Sequence, residues 1–535
     1  MEKRTFLAVL LSLLILIIYP YIIARFFPQY VSSPQKEILE EVKEEETALA
    51  PSTSKTSLPS PFSHSTLPFS VSEKEKVFEN DNFRIVFTNY GGAIKEIELK
   101  KYRLSNQPLL LVKAKERAQY VFADKNVIYK QAVSSDNTVT YTADLDGQFQ
   151  ISKEYFISPE GYFINLNLSI RNLTSYPQQF SSLLNISSPV SQDRFSRRFS
   201  EICLANDTIQ RRNISRLKKE YIKKGDFSWV GINKKYFCLI LKYLAENKTE
   251  KEVSRIKAGF ASGKENDNLL LSVEIEPFVI PADQEISQEF ILYAGPKATE
   301  ELTKADKDFA RIINYGFFSG ISRLILITLK FFYKIGHNYG LAIILLAILI
   351  NLFLQPLTLK SFRSMKDMQR IQPHINRLRE EHKENPHKLN EEIRNLFRKH
   401  NVNPLAGCLP ILLQIPIFIA LYQGLMRSLE LRGAHFIFWI KDLSQPDALR
   451  LPFSLPLISD KINVLPILMA IAMGWQQKLS SLRKESPTEA EKHQQKMALI
   501  MPAIFALIFY NMPSGLVLYW LVNTLVAIFY QRRIR

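Results

Sequence analysis

At 535 residues, with 46% hydrophobic and 23% charged side chains, the chain is too long for one domain and too unevenly apolar for a single soluble one. A mean hydropathy of −0.07 averages an oily C-terminal region over a polar middle. The formal net charge of +17 suits nucleic acid, anionic lipid or the cytoplasmic loops of a membrane protein. The basic residues crowd into 360–399 and the tail 531–535, beside apolar helices, which favours the positive-inside pattern over a dedicated nucleic-acid site. Cys203, Cys238 and Cys408 have no metal-ligand spacing and cannot close a disulfide framework. CxxC, HExxH, Walker and GxSxG motifs are absent from the sequence, so nothing points to an enzyme.

In chain order, residues 1–27 pair a basic start with an apolar run over 6–23 that lacks a small-x-small cleavage site. They read as an uncleaved transmembrane anchor with its N-terminus in the cytoplasm. Residues 28–76 turn acidic and then rich in Ser, Thr and Pro, a composition that cannot bury enough apolar surface to offset chain entropy and reads as a disordered tether. Over 77–298 the period becomes two, as in Phe83-Arg-Ile-Val-Phe and Tyr162-Phe-Ile-Asn-Leu-Asn-Leu, with turn signals such as Asn89-Tyr-Gly-Gly between the runs. Many short strands predict a large β-sandwich, with Gly91-Gly92 at a hairpin turn and a binding or scaffolding role. Residues 299–337 are helical, and Phe317, Phe318, Ile321, Leu324, Ile325, Thr328, Phe331 and Phe332 recur on a helical period. This predicts a connector and an amphipathic helix lying on the outer leaflet.

The remainder, 338–535, carries apolar runs at 341–359, 405–426, 464–482, 497–510 and 516–530; the first three match the roughly 20 residues a membrane-crossing helix needs, and the last two read as a tight hairpin of spans. Asn351, Gln355, Gln414, Gln423, Asn523 and Thr524 lie inside them, and such groups in lipid mark a functional site by default. Between the first two spans, 360–400 holds Met368, Ile371, Ile375 and Leu378 at seam spacing, then an Asn385-Pro386 breaker, then Leu389, Ile393, Leu396 and His400. The pattern predicts an antiparallel helical hairpin, kinked at Pro373 and projecting into the cytoplasm. Placing the basic clusters on one side puts 429–463 outside, 483–496 inside and the C-terminus inside.

The motifs Asn338-Tyr-Gly-Leu-Ala-Ile-Ile, Gln355-Pro-Leu-Thr, Met368-Gln-Arg-Ile-Gln-Pro-His-Ile, Val402-Asn-Pro-Leu-Ala-Gly-Cys-Leu-Pro-Ile-Leu-Leu-Gln-Ile-Pro-Ile-Phe, Leu431-Arg-Gly-Ala-His-Phe and Pro513-Ser-Gly-Leu-Val-Leu-Tyr-Trp resemble those of the YidC/Oxa/Alb membrane protein insertases. The whole resembles the Gram-negative form with a large periplasmic domain. The resemblance implies a polytopic α-helical inner-membrane protein, an N-terminal anchor plus a five-helix insertase core, with an all-β periplasmic β-supersandwich akin to sugar-binding mutarotase folds. It implies insertion of nascent membrane proteins into the lipid bilayer, partnership with the Sec translocon and the ribosome, and neither cofactor nor metal nor small-molecule substrate.

By position, the resemblance implies a hydrophilic groove at Asn351, Gln355, Gln414, Asn523 and Trp520, with Ile415, Pro416, Phe418 and Phe505 as the substrate-guiding apolar face. Met368, Ile375, Pro386 and Arg394 mark the cytoplasmic hairpin. Asn351 stands where the family commonly carries a groove arginine, so the groove lacks its usual fixed charge. Two other classes fit parts of the chain. A polytopic solute transporter would need inverted repeats and paired broken spans, which the sequence does not display; a membrane-anchored periplasmic carbohydrate-binding protein would leave the basic hairpin unexplained.

Overall fold

The computed structural model describes residues 73–534 apart from 105–106, 124–126, 182, 192–193, 218–219, 245–252, 262–267, 276, 383–384, 401, 403–408, 451–460 and 481–499. The anchor 1–27, the tether as far as residue 72, Cys408 and the basic loop 483–496 lie outside the described residues. Two compact units divide between Ile313 and Asn314.

The N-terminal unit is built of antiparallel sheets. Glu75–Glu79, Phe83–Thr88, Ala93–Leu104 and Gln107–Lys113 form a four-stranded meander, so pairing begins two residues inside the stretch read as tether; Glu75 is held there opposite Thr88 and by Lys95. A second four-stranded sheet orders Leu183–Pro189, Asn268–Glu274, Val253–Ala261 and Tyr221–Phe227. A nine-stranded sheet has Phe237–Leu244, Glu285–Pro296, Phe163–Asn172 and Phe149–Ile157 as its centre. The alternation seen in the sequence is the alternation of burial: Ile164, Leu166, Leu168 and Ile170 point inward, and Phe163, Asn165, Asn167 and Ser169 are only half-buried. Hydrogen bonds from Ser188 Oγ to the Leu111 carbonyl (2.6 Å) and from the Phe122 amide to the Asn185 carbonyl (3.0 Å) tie neighbouring layers.

One inward residue breaks the apolar pattern. Lys153 is fully buried and donates to the carbonyl oxygens of Gly91 (2.7 Å) and Phe122 (2.6 Å), while Tyr155 donates to Gly92 (2.6 Å). These bonds satisfy polar groups that would otherwise be costly in the core. They pin the Gly91-Gly92 turn, where Gly92 has φ +52° and an added Cβ would sit 3.1 Å from the Tyr129 ring, so glycine is the residue the position accepts. Cys203 and Cys238 are free and buried, and burial pushes the Cys203 thiol up to about 12; both behave as small core residues.

In the C-terminal unit we number the helices that follow the β sheets. α1 is Thr299–Ala305, still in the N-terminal unit, and α2 is Ser319–Gly336; α3 is Tyr339–Glu381, α4 Pro386–Lys399, α5 Leu409–Arg427, α6 Val464–Ser480, α7 Ile500–Phe509 and α8 Ser514–Ile534. Of these, Tyr339–Met368 and Ser514–Arg533 are long and apolar enough on their own to cross a membrane, with Leu412–Arg427 and Ile500–Phe509 as shorter apolar helices. α8 packs on α6 and α3, and α2 packs on α3 and α5.

Their shared core holds Ala342, Ile343, Leu346 and Ala347 of α3 against Ala420, Leu421 and Leu425 of α5, Met469 of α6, and Leu516, Val517 and Tyr519 of α8. On the far side of α3, Leu341, Ile348, Leu352 and Phe353 are exposed. Large apolar side chains outside a well-packed interior are what lipid requires.

α3 continues for 43 residues, through Pro356 and Pro373. The span read as ending at 359 and the first arm of the hairpin are therefore one helix, and the boundary between them is one of charge alone. α2 buries the stripe Ser322, Ile325, Leu326 and Leu329 but also exposes Leu324, Ile327, Phe331 and Ile335, with Phe317 exposed just before it, so its apolar surface extends well beyond the buried face.

Candidate functional site

Asn351 and Asn523 meet between α3 and α8. Asn351 Nδ2 donates to the Ala347 carbonyl one turn back (2.7 Å) and to Asn523 Oδ1. Asn523 faces the hydroxyl of Tyr519, four residues earlier on the same face of α8, and the two side chains interact. That hydroxyl accepts from Gln414 Nε2 at 2.7 Å. Three helices, α3, α5 and α8, are thus joined by a continuous line of amides and one phenol in the middle of an apolar bundle. Counting 1.5 Å per residue, Asn351 lies about 18 Å and Asn523 about 14 Å from the N-terminal ends of their helices, near mid-span. Tyr519 is fully buried, whereas Asn351 and Gln414 are half-buried.

The five groove positions do not all share this network. Gln355, one turn beyond Asn351, is half-buried and stands outside the line of bonds among the described residues. Trp520 belongs elsewhere. Its ring centroid lies 5.1 Å from Phe418, 5.8 Å from Phe505 and 5.5 Å from Phe509. The reason is helical phase: neighbours on a helix diverge by about 100°, so Tyr519 takes the polar direction and Trp520 the apolar one. Phe418 and Phe505, assigned to the apolar face, lie in this aromatic cluster. Gln414 and Phe418, at i and i+4, carry the polar and aromatic layers one turn apart on α5. Ile415 and Pro416 are on the same helix, Ile415 36% exposed and Pro416 half-buried.

Tyr519 is the member the sequence reading missed. Its signal was its place four residues before Asn523, on one helical face.

One end of the bundle is built over by the segment between α5 and α6. Asp447, 4% exposed, accepts from the backbone amides of Val464 (2.7 Å) and Leu465 (2.9 Å) at the start of α6 and from the Trp439 indole (2.9 Å). A carboxylate on the unpaired N–H groups of a helix start is favourable for both the bond and the dipole. The Ser514 and Gly515 amides donate to the carbonyls of Gln445 (2.7 Å) and Leu443 (3.0 Å), and Asn338 Nδ2 donates to Phe436 (3.2 Å). The Phe436 ring lies directly on Gly340, where any side chain would collide with it. The N-termini of α3, α6 and α8 are therefore stitched together by one loop.

Beside this cap, Lys330 of α2 pairs with Glu430 at 2.7 Å, and Ser428 Oγ donates to the same carboxylate at 2.7 Å. Burial pushes the Glu430 carboxyl up, but these two hydrogen bonds and the ammonium charge outweigh it and hold the group below its ordinary value.

At the other end of α3 the hairpin forms. Ile371, Ile375 and Val402 are buried, with Met368, Ile393, Leu396 and Phe397 packed on them. Asn385 caps α4 by accepting from the Lys388 amide (3.1 Å), and Pro386 occupies the first helical turn. Arg394 is exposed. His400, expected in the seam, is instead exposed, with its ring 6.3 Å from that of His374. α4 ends at Lys399, so the helical phase is lost there and Val402, its amide bonded to Phe397 (3.0 Å), fills the seam.

Residues 331–535 match the family described as "60Kd inner membrane protein", and residues 76–328 match the family described as "YidC periplasmic domain". The membrane protein insertase YidC of Pelobacter propionicus is 31% identical across 99% of this chain and 98% of its own. That of Geotalea uraniireducens is 32% identical with the same coverage. A crystal structure of an active YidC insertase is similar at 19% identity, covering 86% of this chain and 93% of that one with a TM-score of 0.34. Relatives of this identity span the whole chain, and both halves match their own families. The chain therefore belongs to the YidC family of membrane protein insertases: polytopic helical membrane proteins, not enzymes, with an all-β periplasmic domain.

Proposed function

We propose that substrate transmembrane segments enter the bilayer along the polar line Asn351–Asn523–Tyr519–Gln414, with Gln355 extending it toward the cytoplasm. The single observation that carries this reading is the line itself: hydrogen-bonding groups from three helices converge at mid-span in an apolar bundle. A substrate helix must carry a short polar flank across hydrocarbon, and unpaired polar groups there cost several kcal/mol. Water and amides on the inner half of the path shorten that barrier. The aromatic cluster of Phe418, Phe505, Phe509 and Trp520, with Ile415 and Pro416, offers the emerging apolar helix a surface. Burial of substrate surface, about 25 cal/mol per Å², supplies the driving force without nucleotide hydrolysis.

The same reading sets the surroundings. The core lies in the bacterial inner membrane with both termini cytoplasmic, the loop 429–463 closes the periplasmic end, and the groove opens to the cytoplasm. The basic hairpin 360–400 receives the ribosome at that mouth, and the core works beside the Sec translocon on part of its substrates. Salt-dependent attraction of Lys and Arg to RNA phosphates supports the first contact.

The test is Asn351→Leu assayed on a small single-span substrate, with membrane levels of the variant measured alongside. Insertion should slow at unchanged protein level, since Leu is welcome in lipid. Full activity would reduce Asn351 to a packing amide and overturn the groove.

A further inference from the structure

The segments 339–359, 409–426, 464–477, 500–509 and 514–530 contain no Asp, Glu, Lys or Arg. The nearest charges along the helices that carry the network are Lys360 on α3 and Arg532 on α8, each nine residues beyond its asparagine, or about 14 Å away along the helix axis. Arg532 is further occupied, with its guanidinium 4.8 Å from the Trp475 ring. At the network the chemistry is amphoteric. Asn351 commits its Nδ2 twice, to Ala347 and Asn523, which leaves its carbonyl oxygen as the acceptor, and the Gln355 amide carries both donors and an acceptor. A carboxylate and an ammonium therefore each find a complementary dipole, and among the described residues of the network neither finds a formal charge.

We infer that this insertase is indifferent to the sign of charge on the flank it translocates: its substrate class is short flanks, acidic or basic, selected by length and polarity. This rests on the groove reading above and specifies what that groove admits. Any preference for acidic flanks comes from the membrane potential, which at 100 mV, negative inside, favours outward movement of one negative charge and opposes one positive charge by up to about fiftyfold each.

The experiment uses proteoliposomes holding the full chain, without an imposed potential, and three single-span substrates identical except for flanks carrying two Asp, two Lys or two Asn. The Asp and Lys substrates should insert within about twofold of each other, and an imposed potential should separate them. Asn351→Arg should create an acidic preference without a potential, about fivefold per acidic residue at 4 Å even in a fully wet groove, and Asn351→Asp the opposite preference. A tenfold acidic preference of the unaltered chain at zero potential would overturn the inference. Failure of the groove reading is separately visible: the Asn-flanked substrate would then insert equally well with Asn351→Leu.

Discussion

Replacing Tyr519 by Phe removes one oxygen from the centre of the polar line and leaves the ring in place. Tyr519 is fully buried in the bundle core, so Phe creates no cavity larger than the hydroxyl. What is lost is the bond from Gln414 Nε2 at 2.7 Å, which joins α5 to α8, together with the interaction with Asn523 inside α8. Hydrogen bonds between membrane helices are worth about 0.6 kcal/mol on average and up to about 1.7, so the loss of the α5–α8 bond predicts a cost of about 0.6–1.7 kcal/mol. For a unit of this size that is a fall in unfolding temperature of about 1–7 °C. The decisive assay is a double-mutant cycle with Gln414→Leu, read by thermal unfolding of purified protein. Gln414→Leu alone should cost about 0.6–1.7 kcal/mol, and the double variant should lose less than the sum by a similar amount, because the bond can be removed only once. Insertion should fall in both single variants at equal membrane levels. If the two changes add within about 0.3 kcal/mol, the sites are independent, and the line of bonds joining α5 to α8 is wrong.

Four further outcomes are expected. Shortening the hairpin around 385–388 should lower insertion while membrane levels hold, and unchanged insertion of every substrate would remove the hairpin from the mechanism. Ile375→Asp buries a charge in the seam with Ile371 and Val402 and should expose the hairpin to limited proteolysis while α3 remains in the membrane. Charge reversal in 360–400 together with 483–496 should abolish co-sedimentation with ribosomes, and the contact of the unaltered chain should weaken steeply with salt; co-sedimentation that survives the reversal contradicts the assignment. Because the Glu430 carboxyl is held below its ordinary value, the Lys330 clamp contributes stability above the unfolded carboxyl value of about 4.3 and loses it as pH falls through the lower folded value. Acid melts of the wild type should therefore show a decline that Glu430→Gln flattens, and identical pH profiles would mean the clamp contributes nothing.

Much of this protein was legible in its residues because it depends on local patterns. The period-two runs of 163–172 became a central strand, the Gly91-Gly92 signal became the positive-φ turn, and the seam of Met368, Ile371 and Ile375 packed against Ile393 and Leu396. Charge beside apolar runs marked the membrane helices, and the motifs from Asn338 to Trp520 pointed to the family that the comparisons establish. The sequence reading also found Asn351, Gln414 and Asn523 one at a time as polar residues in apolar company.

What it could not supply was direction and pairing. That Trp520 turns to Phe418 and Phe505 while Tyr519 turns to Gln414 and Asn523 depends on how three helices are rotated against one another. Likewise, Asp447 looks like an ordinary loop acid until the fold brings the start of α6 and the Trp439 indole to it. His400 left its seam because the helix ended one residue before it, and Val402 fills the seam instead. Spacing along one chain decides which residues share a face, but only the packed bundle decides what that face meets, because hydrogen bonds across helices join residues more than a hundred positions apart.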